Sequence, residues 1–146
     1  MIKRLFDYIF YKFYYPRIIK IIQSEKNKPT IIGSIKNMKM GENVVIKENV
    51  TFECSNGSIS IGDNSTILSD VKILSYGGKI TIVNNVSVNP LSILYGHGDL
   101  TIGDNVRIAT STIMIPSNHN YSRTDIPIYL QGETSTGIYI EDDVWI

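Results

Sequence analysis

The chain has 146 residues, 42% of them hydrophobic, with fourteen basic and fourteen acidic side chains and therefore no net charge. That length and composition predict one domain and argue against a nucleic-acid-binding protein, which needs a basic face. A single cysteine, Cys54, excludes an internal disulfide, and no Cys/His cluster has zinc-ligand spacing.

Charge is uneven along the chain: residues 1–28 hold seven Lys and Arg against two acids, and residues 29–146 hold seven against twelve. In the basic segment, Ile2, Leu5, Phe6, Ile9, Phe10 and Phe13 recur at helical spacing and make one apolar stripe. Lys3, Arg4, Asp7 and Lys12 take the other side, with Tyr8, Tyr11, Tyr14 and Tyr15 at the margins. Pro16 is expected to interrupt this helix, with Arg17 to Gln23 adding another turn or two. No run of about 20 apolar residues exists to span a membrane. Asp7 and Lys12 also break the apolar region that a signal peptide needs. Two readings stay open: a helix that covers the open end of the adjoining domain, or an interfacial helix making peripheral membrane contact through residues 1–23. Lys26 to Pro29 make a short polar link, and residues 1–37 are read as helical segment and linker.

Residues 38–146 are organised by a recurring phrase. It reads Met40-Gly41-Glu42-Asn43-Val44, Ile61-Gly62-Asp63-Asn64-Ser65, Ile82-Val83-Asn84-Asn85-Val86, Ile102-Gly103-Asp104-Asn105-Val106 and Ile140-Glu141-Asp142-Asp143-Val144. The phrases begin 21, 21, 20 and 38 residues apart, which is a repeat period. Within each period apolar residues fall six apart, at 40, 46, 52; 61, 67, 73; 82, 88, 94; and 102, 108, 114. Most are preceded two residues earlier by another apolar side chain, the alternation of a strand with one buried face. Three short strands and three corners per period predict a triangular coil, so the chain winds as a β-helix around a stack of Ile, Val, Leu and Met. The third side of each coil takes 9, 9 and 8 residues instead of six, which places the extra residues at one corner as a ridge.

Several residues in the coils invite a chemical role. Cys54 lies at the ridge corner and reads as an ordinary small residue rather than a nucleophile. Asn89 comes directly after the inward Val88 and reads, on its own, as a corner residue tolerating left-handed backbone. His97, within Tyr95-Gly96-His97-Gly98-Asp99, reads as a surface corner residue. After Met114 the metre fails: Ile140 follows 26 positions later, about 17 more than the earlier third sides take, and the excess is thrown out from the scaffold as a loop within about 115–137. The loop carries Pro116-Ser117-Asn118-His119-Asn120-Tyr121, then Asp125-Ile126-Pro127-Ile128 and Gln131-Gly132. His119 is its candidate for chemistry, since an imidazole titrates near neutral pH.

The six-residue metre, the loop from Ser117-Asn118-His119 to Gln131-Gly132, and the closing Ile140-Glu141-Asp142-Asp143-Val144-Trp145-Ile146 resemble the hexapeptide-repeat acyltransferases. The branch most similar is that of the bacterial surface-polysaccharide O-acetyltransferases, alongside the maltose and galactoside acetyltransferases. The resemblance covers residues 38–146. It implies a left-handed parallel β-helix and a cytoplasmic homotrimer, at the inner face of the membrane if the helix rests there. The trimer would use acetyl-CoA as co-substrate, no metal, and a sugar or glycan hydroxyl as acceptor. His119 matches the family's catalytic histidine, Asn89 its acceptor-binding asparagine, and Trp145 the tryptophan that flanks the acyl-CoA arm. Because Asn89 and His119 fall on different edges of the prism, the expected site lies between neighbouring chains. Family chains continue past the Val-Trp-Ile phrase with a glycine and further coils, whereas this sequence stops at Ile146, so it reads as truncated relative to them. Alternatives are transfer to an amine or a serine hydroxyl, a catalytically silent β-helix scaffold or subunit, and a zinc site on the same fold. The last needs three histidines per site, and the chain has two.

Overall fold

The computed structural model describes residues 2–22 and 27–146; Met1 and residues 23–26 lie outside the described residues, as does the side chain of Ile2. Expectations that fall on Gln23 and Lys26 are therefore outside them too.

The repeating phrase makes a corner by three separate devices. Its apolar residue ends a strand and points inward, as Ile61 does at the end of Ser58–Ile61. Its asparagine or aspartate adopts the left-handed conformation: φ is 56° at Asn64, and between 54° and 61° at Asn43, Asn85, Asn105 and Asp143. Those residue types tolerate that region best after glycine. Gly62 answers a different need, because a Cβ there would lie 2.4 Å from the Val83 carbonyl oxygen of the adjacent coil. The third residue of the phrase ties coil to coil. Glu42 N–H donates to Asp63 Oδ1 at 2.6 Å, Asp63 N–H to Asn84 Oδ1 at 2.8 Å, and Asn84 N–H to Asp104 Oδ1 at 2.8 Å. Asp104 N–H continues the column to Asp142 Oδ1 at 2.7 Å.

Between corners, short strands stack in parallel on their counterparts one coil away. Face A comprises Thr30–Gly33, Thr51–Cys54, Lys72–Leu74, Ile93–Tyr95 and Ile113–Met114. Face B comprises Met38–Met40, Ser58–Ile61, Lys79–Ile82, Leu100–Ile102 and Ile138–Ile140. Face C comprises Val45–Ile46, Thr66–Ile67, Ser87–Val88 and Arg107–Ile108. The result is a left-handed parallel β-helix of about four turns, opposite in hand to ordinary parallel crossovers. All twelve positions expected to be interior from the six-residue spacing are so, none more than 6% exposed. Each buried Ile, Leu, Val or Phe contributes roughly 1.5–3 kcal/mol by leaving water, and the coil above or below satisfies the backbone groups of each strand.

Two findings differ from the sequence reading. Parallel stacking begins at Thr30–Gly33, which pairs with Thr51–Cys54, inside the stretch read as linker. That strand lacks the repeating phrase, and its Ile32 faces outward. Second, Pro16 does not interrupt the helix. Ile2–Ile9, a π-helical turn Phe10–Tyr14, and Tyr15–Ile22 run on as one helix. Tyr15 N–H bonds the Phe10 carbonyl five residues back. This wider turn comes immediately before Pro16, whose ring would crowd the preceding turn of a regular helix.

Of the expected apolar stripe the helix buries Phe10 but not most of the rest. Phe10 and Ile18 join the core, with Tyr14, Tyr15, Ile21 and Ile22 packed against it. Of the expected stripe, Leu5, Phe6, Ile9 and Phe13 stay 38–60% exposed. The second half of the helix thus covers the first coil, fastened by Arg17 to Glu42 at 2.7 Å, while the first half projects.

Candidate functional site

The loop after Met114 leaves the solenoid at the corner between face A and face B, the same corner that carries the ridge. It opens as an antiparallel hairpin, Ser117–His119 against Glu133–Ser135, with His119 opposite Glu133 in register. His119 Nδ1 stands 3.6 Å from Glu133 Oε1, and the two side chains are 58% and 47% exposed. At that separation the carboxylate is beyond hydrogen-bond distance and acts on the ring through its charge, which leaves Nε2 as the nitrogen free to meet an acceptor. Glu133 was not anticipated. It lies fourteen residues from His119 in sequence, and only the hairpin register brings the two together.

The hairpin is held from both ends. At its base, Ile138 N–H donates to the Asp99 carbonyl at 3.0 Å and Thr136 N–H to the Pro116 carbonyl at 3.2 Å. Gly98, with φ of 73°, lies so close that a Cβ on it would come within 2.5 Å of Ser135 Cβ. Beyond His119, Asn120 Nδ2 donates to the Gln131 carbonyl at 3.1 Å, and Asn120 Oδ1 accepts from Thr134 Oγ1 at 2.7 Å. The Gln131 amide then ties the loop tip: Nε2 donates to the carbonyls of Arg123 and Ile126, and Oε1 accepts Arg123 N–H. His119 is consequently presented to solvent from a braced element.

The other residues named from sequence lie elsewhere on the prism. Asn89 is at the corner where face C turns into face A, half-buried, its N–H donating to the Ile108 carbonyl at 3.0 Å. The left-handed residue of that corner is Leu91, with φ of 64°, rather than Asn89. Trp145 extends face C, bridged in parallel to Arg107 and 82% exposed. Face C is opposite the corner that bears the hairpin, so one chain does not bring His119 together with Asn89 and Trp145.

No family model matches the chain, and no curated protein or solved structure matches it either.

Further down the ridge, His97 stacks on Tyr76 with ring centroids 5.0 Å apart and meets the Tyr95 edge at 5.8 Å. Its Nδ1 is buried without a hydrogen-bond partner, so it forms part of an aromatic ridge rather than a free corner. Below it, Glu53 is buried enough to push its carboxyl up. Hydrogen bonds from the Ser55 and Tyr76 N–H groups and from Ser55 and Ser75 side chains outweigh that and leave it below its ordinary value. Cys54 beside it is fully enclosed, and burial together with the Glu53 charge pushes its thiol up to about 11. The sulfur stays protonated near neutral pH and is no nucleophile. Among the described residues, no group of three or more His, Cys, Asp or Glu is placed to hold a metal ion.

Proposed function

We propose that the chain is an acyl-CoA-dependent O-acetyltransferase of the hexapeptide-repeat type, acting on a sugar hydroxyl with His119 as general base. The observation that carries this reading is the His119–Glu133 pair on a hairpin braced at both ends, standing out from an otherwise rigid prism. The chemistry suits it. Nε2 takes the acceptor hydroxyl proton as the oxygen attacks the thioester carbonyl, since free alkoxide is too scarce near neutral pH. The tetrahedral intermediate collapses by breaking the C–S bond, and the departing thiolate takes the proton back from the imidazolium. Glu133 steadies the imidazolium between the two transfers.

The site is completed by a neighbouring copy that supplies Asn89 for the acceptor and the exposed Trp145 ring for the acyl-CoA arm. Face A, between the Asn89 corner and the hairpin, supports such an arrangement. Ile113 and Ile115 are exposed there, and Leu91 at its edge is 55% exposed in a left-handed conformation. A leucine in that conformation costs about 1–2 kcal/mol, and a polar residue would serve the corner as well in an isolated chain. An apolar contact with a second copy accounts for its presence. The test is release of CoA from acetyl-CoA with a panel of sugars. His119→Ala should lower the rate roughly 10²–10⁴-fold with the thermal melt unchanged; a loss of less than a few-fold removes the role assigned to this histidine.

A further inference from the structure

The projecting half of the N-terminal helix carries a row of apolar side chains that the described chain leaves 38–60% exposed. Leu5, Phe6, Ile9 and Phe13 succeed one another along one side, all exposed. Capping does not explain them, because Phe10 and Ile18 are the helix residues buried in the core while these four stay exposed.

Charge identifies the occupant. By helical spacing Lys3 and Lys12 flank the row and Asp7 falls on the opposite side. Lys12 Nζ donates to the Tyr8 hydroxyl at 2.8 Å and lies over the rings of Tyr8 and Phe13, 5.2 and 5.4 Å from their centroids. Its stem runs along apolar surface while its cation sits at the rim. Phe6 borders a shallow groove whose other wall is face B, with Lys36, Lys39 and Lys79 around it. None of these three lysines has an acidic partner among the described residues. An apolar row edged by cations that have no acidic partner among the described residues complements a bilayer with anionic headgroups, where hydrocarbon and negative charge lie a few ångströms apart in depth. No helix among the described residues is long and apolar enough to cross a membrane, so this contact is in the interface plane.

We infer that the chain docks on anionic lipid bilayers through this helix. Leu5, Phe6, Ile9 and Phe13 enter the acyl boundary, and Lys3, Lys12, Lys36, Lys39 and Lys79 meet the headgroups. The inference is independent of the chemistry at His119.

Co-sedimentation of the full chain with vesicles tests it. Binding is expected to mixed phosphatidylglycerol–phosphatidylcholine vesicles, weaker to pure phosphatidylcholine, and weaker again as salt is raised. The exposed-row variant Leu5→Ser/Phe6→Ser/Ile9→Ser/Phe13→Ser should keep its thermal melt and bind at least about tenfold less tightly. Reversal by Lys36→Glu/Lys39→Glu/Lys79→Glu should abolish the preference for anionic vesicles, and an unchanged preference overturns the role of those lysines. Failure of the unaltered chain to sediment with anionic vesicles, or equal binding by the exposed-row variant, overturns the docking. So does a variant that only dissociates an oligomer in sedimentation velocity, because the row is then covered by another copy.

Discussion

His119 and Glu133 face each other at 3.6 Å, both near half exposed, which limits what the carboxylate contributes. Solvent screens an exposed pair, so the charge has a modest effect on the ring. Glu133→Gln keeps an oxygen near Nδ1 but removes the charge. It should lower kcat about tenfold, far less than the loss seen when a buried carboxylate–imidazole couple is broken. KM for acetyl-CoA should not move, and steady-state kinetics separate the two. Cys54 offers a second check at this scale. Its sulfur donates toward the Ser34 carbonyl at 3.3 Å, is fully enclosed, and keeps its proton up to about 11. Thiol reagents at neutral pH should leave it unlabelled in the folded chain and label it fully after denaturation, as read by mass spectrometry.

The hairpin depends on the coil beneath it more than on its own length. Gly98 permits the close approach of Ser135, both by lacking a Cβ and by its φ of 73°. Gly98→Ala should therefore push the hairpin base off the ridge. The left-handed alanine alone costs about 1–2 kcal/mol, a loss of a few degrees in Tm at this chain length. Acyl transfer should fall by a larger factor than stability, because His119 is displaced while the solenoid core is untouched. Calorimetry and kinetics on the same sample give both numbers. Much of this element was legible in the residues alone. All twelve positions given by the six-residue metre from Met40 to Met114 are interior, because inward placement repeats with the coil and any slip would expose a whole column, whereas buried Cys54, Leu74, Ser65, Ser75 and Ser92 fall outside that metre. The departure from the metre located the loop at the ridge corner. Glu133 was invisible, since it became His119's neighbour only through antiparallel pairing inside a loop with no period. The strand Thr30–Gly33 escaped for want of a phrase, and of the helix stripe Phe10 is buried while Leu5, Phe6, Ile9 and Phe13 stay exposed, because the helix packs mainly through its second half.

At the scale of the whole molecule, the prism keeps its candidate residues apart. The hairpin stands at the corner of faces A and B, whereas Asn89 and Trp145 lie beside or on the opposite face C. A cyclic trimer resolves this if face A of one chain meets the face C side of the next, since every interface then repeats the same pair of surfaces. The arrangement makes a quantitative demand. His119→Ala and Asn89→Ala chains should each be inactive alone. When the two are unfolded together in equal amounts and refolded, a competent interface needs an intact His119 on one side and an intact Asn89 on the other. Random assembly gives about one quarter of interfaces that combination, so activity should return to about a quarter of that of the unaltered chain. A site contained in one chain gives no recovery at any mixing ratio. Varying the ratio adds a second constraint: recovery should peak at equal amounts and fall symmetrically on either side. A subunit-exchange artefact in which one parent merely stabilises the other would track the stabilising partner instead.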